Sequence, residues 1–130
     1  MVNKVILIGN SGMEPEVRSL ESGTKVAKIR LATSEKYSIN GERKEHTEWH
    51  TVILWRYMAD FVEKYVHKGT MLYIEGKIRN REKIDDNGNK KSIFEIHADE
   101  VHIIRQPETT KTTTPAIEDQ APISGDGIPF

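Results

Sequence analysis

Three aromatic residues, Tyr37, Trp49 and Trp55, are interleaved with Arg30, Lys36, Arg43, Lys44 and Arg56 on or beside strand-like segments. Flat π-faces can stack on bases, and the cations between them can neutralise the phosphates that join those bases. A strand surface carrying both can track a single strand of nucleic acid without reading its sequence. The alternative is that the tryptophans are core. Trp49 falls in phase with Thr51 and Ile53, so that side of the strand is mixed, and curvature or a bulge could turn Trp55 elsewhere. Tyr37 stands at a loop entrance, where an exposed ring is easier to place.

A second pattern is basic. Lys77, Arg79, Arg81 and Lys83 are spaced by two, so they project from one face of a strand and the arm that follows it. At ~3.3 Å per residue, neighbours in that set stand roughly 6.6 Å apart, close to the spacing of phosphates in an extended single strand. No acid interrupts this face, and Glu82 points the other way. The competing reading is a solvated strand face, with lysine guarding a sheet edge.

His46, Glu48 and His50 also repeat every second residue, which could present two imidazoles and a carboxylate to a metal. Spacing supplies no fourth ligand, and cross-strand pairing or an interface is the preferred reading of that strand. With no cysteine in the chain, a disulfide framework, a thiolate nucleophile and Cys-ligated zinc are excluded. No Gly-x-Ser-x-Gly elbow or phosphate-cradling loop appears. Nothing argues for catalysis, and no cofactor or metal is implied.

The elements that must position these residues follow from hydrophobic period. Val2 to Gly9 is apolar and β-branched, and Gly9-Asn10-Ser11-Gly12 reads as the turn that ends it. Val26 to Thr33 alternates Ala27, Ile29 and Leu31 against Lys28, Arg30 and Ala32, the period of a half-buried strand. An Asn40-Gly41 turn returns the chain into a strand from Thr47 to Trp55. Met58, Val62, Tyr65 and Val66 share one face of a short helix, which Gly69 can close. Leu72, Ile74, Gly76 and Ile78 mark a further strand, Asp86-Asn87-Gly88-Asn89 a turn, and Ser92 to Ile104 the last strand. One helix on about five strands predicts an all-β domain over 1–106, an OB-fold five-stranded barrel, with an SH3-like barrel as its rival.

Charge divides at the same boundary. Residues 1–106 carry 18 Lys and Arg against 16 Asp and Glu, a mildly basic balance of +2. Residues 107–130 carry Lys111 against Glu108, Glu118, Asp119 and Asp126, a balance of −3. That segment is rich in Thr, Pro and Ser and buries too little to offset its chain entropy, so a disordered acidic tail is expected. It ends in Ile128-Pro129-Phe130, an apolar tip suited to a partner pocket that has a basic residue beside it. No signal-peptide pattern opens the chain and no apolar run approaches ~18 residues, so a soluble, cytoplasmic protein without membrane contact is expected.

The stretch Val2-Asn3-Lys4-Val5-Ile6-Leu7-Ile8-Gly9-Asn10, then Pro15-Glu16-Val17-Arg18, resembles bacterial single-stranded DNA-binding protein (SSB). So do Leu31-Ala32-Thr33-Ser34-Glu35, Thr47-Glu48-Trp49-His50, Lys68-Gly69, Tyr73-Ile74-Glu75-Gly76 and the Ile128-Pro129-Phe130 ending. The resemblance implies an OB-fold that coats single-stranded DNA with little sequence preference, usually as a homotetramer, close to the nucleoid. It implies that Tyr37, Trp49 and Trp55 stack on bases, and that Arg79 and Arg81 meet the DNA backbone; the basic patterns above add Arg56, Lys77 and Lys83 to the residues expected to bind the single strand. It places His50 at the dimer contact. It also implies that the tip, with Asp126, Ile128, Pro129 and Phe130, recruits replication, recombination and repair proteins. Two departures stand out: Lys83 occupies a position where the family often has a stacking tryptophan, and Gly125 and Gly127 stand where it commonly has aspartates.

Overall fold

The computed structural model of the protein describes residues 1–108, which form six strands and one helix. They are β1 (Val5–Ser11), β2 (Glu16–Ser19), β3 (Lys25–Ile39), β4 (Glu42–Trp55), α1 (Tyr57–Tyr65), β5 (Met71–Ile84) and β6 (Lys90–Arg105). The expected tail and its tip, Asp126, Ile128, Pro129 and Phe130, lie outside the described residues. Among the described residues no helix is long and apolar enough to cross a membrane.

Alternation along the strands builds the core. Ala27, Ile29 and Leu31 of β3, Val52 and Leu54 of β4, Leu72 and Ile74 of β5, and Ile96 and Ala98 of β6 are buried in one cluster. Neighbours run β1-β5-β6-β4-β3-β2, and β1 also pairs with β3 through Asn10↔Ala32 and Ser11↔Leu31. That last pairing closes β1, β5, β6, β4 and β3 into a five-stranded barrel, the OB-fold expected from the sequence. All pairings are antiparallel except β4–β6, which meet in parallel at Val52↔Ile96 and Ile53↔His97. β2 is an appended edge beside β3 with only Val17 half-buried, too little apolar pattern to be seen in the sequence.

Closure requires two backbone approaches that exclude a Cβ. At Gly9 it would lie 2.2 Å from the Ala32 carbonyl oxygen, and at Gly76 2.2 Å from that of His97. Both strands joined at Asn40-Gly41 run further than their hydrophobic period does. The pairing continues from Thr33↔Glu48 out to Ile39↔Glu42, and the two turn residues take φ 50° and 81°. Positive φ at both central positions matches the right-handed twist of a hairpin, which is why Asn-Gly suits this turn. The result is a long arm where the sequence suggested a loop.

Helix α1 covers one end of the barrel, burying Met58, Ala59 and Val62 against β3 and β4. Lys25 Nζ donates to Asp60 at 2.7 Å and Glu63 at 2.6 Å, tying the helix to the start of β3. The Asp60 and Glu63 carboxylates push the Lys25 ammonium up in pKa, and Lys25 in turn holds Asp60 down. Two sequence expectations are corrected here. Tyr65 faces solvent, 53% exposed with its ring 5.3 Å from that of Phe61, and Ala59 takes the buried place instead. Gly69 does not close the helix. Val66 is already extended at the C-cap, and Gly69 instead donates its backbone N–H to the Ser11 carbonyl at 2.8 Å. Glu14 accepts from the Lys68 N–H at 2.8 Å across the same junction, which holds its carboxyl below the usual range.

Candidate nucleic-acid interface

Strand β4 pairs with β3 without a register shift, so Trp49, Thr51, Ile53 and Trp55 share the outer face of the barrel. Their partners on β3 are Ala32, Arg30, Lys28 and Val26. No bulge separates the two indoles, and neither is sealed in the core. Trp49 is 51% exposed, with the Arg30 guanidinium carbon 5.6 Å from its ring centroid. Its ring edge lies against Gly12, where a Cβ would come within 2.3 Å of Cζ3. The absent side chain at residue 12 is what lets the indole lie flat there.

Trp55 is half-buried and lines a groove of about 570 Å³. Val26 and Ile53 give that groove an apolar floor, while Arg18, Lys28, Arg79 and Arg81 line it with positive charge. Two acids line it as well: Glu16, 3.7 Å from Lys28 Nζ, and Glu95, 6% exposed, which accepts from Arg81 Nη2 at 3.0 Å. This amends the basic stripe. Lys77, Arg79, Arg81 and Lys83 do share one face of β5, because the register is unbroken from Gly76 to Ile84. Acids from β6 nonetheless interleave with them: Asp99 lies 3.5 Å from Lys77, and Glu95 stands opposite Arg79 and bonds Arg81. Among the described residues Arg79 and Lys83 form no ion pair. Lys83 faces Lys91 out on the β5–β6 arm.

Other expected residues stand apart from this groove. Tyr37, 42% exposed, lies opposite Lys44 near the far end of the β3–β4 arm. With Lys36, Arg43 and Lys44 it lines a second cleft of about 550 Å³. By alternation it belongs to the other face of that ribbon from Trp49. Arg56 forms the β4–α1 junction at φ 56°, an unusual conformation for a residue with a Cβ, costing about 1–3 kcal/mol. Its carbonyl accepts the N–H groups of Ala59 and Asp60 at 2.9 and 3.1 Å, so the strained turn starts the helix. His50 is half-buried, with Nε2 2.8 Å from Thr33 Oγ1. His46 and Glu48 bond each other at 2.6 Å, and that carboxylate raises the pKa of the imidazole.

Sequence reasoning missed Lys28, Arg18, Glu95 and His97. Lys28 was visible in the outward phase of its strand, whereas Arg18 lies on a strand too short to detect. His97 reaches Trp55 only through the parallel β4–β6 pairing, which leaves no local pattern. Trp55 Nε1 donates to His97 Nδ1 at 3.3 Å, with the ring centroids 6.2 Å apart.

The barrel and this outer surface define the class: an OB-fold protein presenting open indoles and cations on one curved sheet. Residues 2–104 match the single-strand binding protein family, and the chain belongs to that family. Among solved structures it is similar to the Plasmodium falciparum SSB in complex with ssDNA. The two are 33% identical with a TM-score of 0.72, the match covering 82% of this chain and 96% of that one.

Proposed function

We propose that this protein binds single-stranded DNA with little sequence preference, coating and protecting it during replication, recombination and repair without itself catalysing a reaction. The carrying observation is that Trp49 and Trp55 share one outer face with Arg30, Lys28, Arg79 and Arg81. Bases can stack on the indoles while phosphates meet the guanidinium and ammonium groups. Duplex DNA is disfavoured because paired bases cannot splay onto those rings. A salt-resolved titration tests this reading. Oligothymidine should bind tightly and a duplex of equal length weakly, and equal affinities would reject it. Arg79→Ala should lower the log–log salt slope by about 0.7, the share of one phosphate contact on a single strand.

The working form is a homotetramer in this reading. Ile6 and Ile8 are 55% and 52% exposed on the outer side of β1, with Tyr73 directly across from Ile8, an apolar strip suited to a second copy. His50, half-buried with Nε2 2.8 Å from Thr33 Oγ1, belongs to such a contact in this reading. The acidic tail recruits partner enzymes through Ile128-Pro129-Phe130, in the cytoplasm beside the nucleoid. Deleting Ile128 to Phe130 should leave affinity for oligothymidine nearly intact and abolish capture of replication and repair enzymes; retained capture would refute the anchor.

A further inference from the structure

We propose that His97 is a positioning residue for DNA binding, which holds the Trp55 indole in register with Arg81 through a single hydrogen-bonded chain. The inference rests on the reading of Trp55 as a base-stacking residue. Arg81 Nη2 donates to Glu95 Oε2 at 3.0 Å, Glu95 Oε1 lies 3.4 Å from His97 Nε2, and Trp55 Nε1 donates to His97 Nδ1 at 3.3 Å. An indole N–H can only donate, so Nδ1 must carry its lone pair. The imidazole proton then sits on Nε2, facing the carboxylate of Glu95. One neutral tautomer satisfies both neighbours, and the carboxylate that fixes it is buried and anchored by Arg81.

The other groups around His97 supply no substitute acceptor for the indole. Ile53 of β4 is apolar, Lys77, Arg79 and Arg81 of β5 can only donate, and Glu95 and Asp99 are taken by Arg81 and Lys77. Removing the acceptor at residue 97 therefore frees Trp55 and weakens base stacking on it.

The chain has only two tryptophans, so the indole N–H resonance of Trp55 can be assigned in ¹⁵N-labelled protein by comparison with Trp55→Phe. It should shift in His97→Leu, which removes the acceptor, and lie close to its wild-type position in His97→Gln, whose amide oxygen restores one. Affinity for oligothymidine should fall about three- to tenfold in His97→Leu and recover in His97→Gln. A resonance unmoved in His97→Leu, or equal affinities for His97→Leu and the wild type, would each overturn the proposal. If Trp55→Ala binds as tightly as wild type, the stacking reading fails instead, and the resonance still decides the hydrogen bond.

Discussion

Trp55→Ala is expected to weaken oligothymidine binding by about 1–3 kcal/mol, roughly five- to 150-fold, and Trp49→Ala by the same order. That magnitude is known from single-strand binders of this kind rather than derived from this chain. The two variants should differ in what else they lose. Trp55 is half-buried over Val26 and Ile53 and bonded to His97, so its truncation opens the groove floor and lowers the melting temperature as well. Trp49 is half-open to solvent, and its loss frees Arg30 from a cation–π contact with little effect on folding. Trp55→Phe keeps a π-face without the indole donor, so it should bind better than Trp55→Ala yet stay about three- to tenfold below wild type, the loss expected when the His97 bond is broken. Anisotropy titrations with a labelled oligothymidine, beside thermal melts, separate these effects. If both alanine variants bound like wild type, the outer face of β4 would not be the binding surface.

The core strands were legible because each carries a complete local signal. Ala27, Ile29 and Leu31 alternate with Lys28, Arg30 and Ala32, and the structure buries the first set and leaves Lys28 and Arg30 in the open. The arms were illegible for the converse reason. Residues 34–46 are polar apart from Tyr37 and Ile39, too short a pattern to mark a strand, so their extended form is held by the backbone ladder and one Asn-Gly turn. Tyr65 was misplaced because helical spacing puts it one position from Val66, and only packing decides which of the two turns inward. The site shows the same division. The aromatic and basic residues were visible as types, but the acids that pair with Lys77 and Arg81 come from another strand. A stripe read along β5 alone therefore overstates its free charge: in the proposed function Arg81 would have to exchange Glu95 for a phosphate, while Arg79 would meet one with no ion pair to break. Salt dependence should lean on Arg79 more than on Arg81.

Two glycine-to-alanine variants separate fold from function. A Cβ at Gly76 would stand 2.2 Å from the His97 carbonyl oxygen, 2.9 Å from its carbonyl carbon and 3.0 Å from Ala98 Cα. All three are backbone atoms, so no rotamer change relieves the overlap, and β5 must part from β6 beside the register shift at Glu75/Gly76. Gly76→Ala should therefore cost about 3 kcal/mol, the upper end for overpacking, and lower the melting temperature by roughly 10–20 °C. An unchanged melt would mean that the strands are not this close. At Gly12 the obstacle is a side chain, the Trp49 ring edge. That ring can swing out toward solvent, so Gly12→Ala should melt nearly like wild type yet bind oligothymidine less tightly, because the displaced indole no longer lies where a base can stack. The strand that Gly76 protects carries His97, whose side chain holds Trp55. Whatever fraction of Gly76→Ala still folds should thus bind poorly too, so the backbone approach that closes the barrel also sets the position of its binding face.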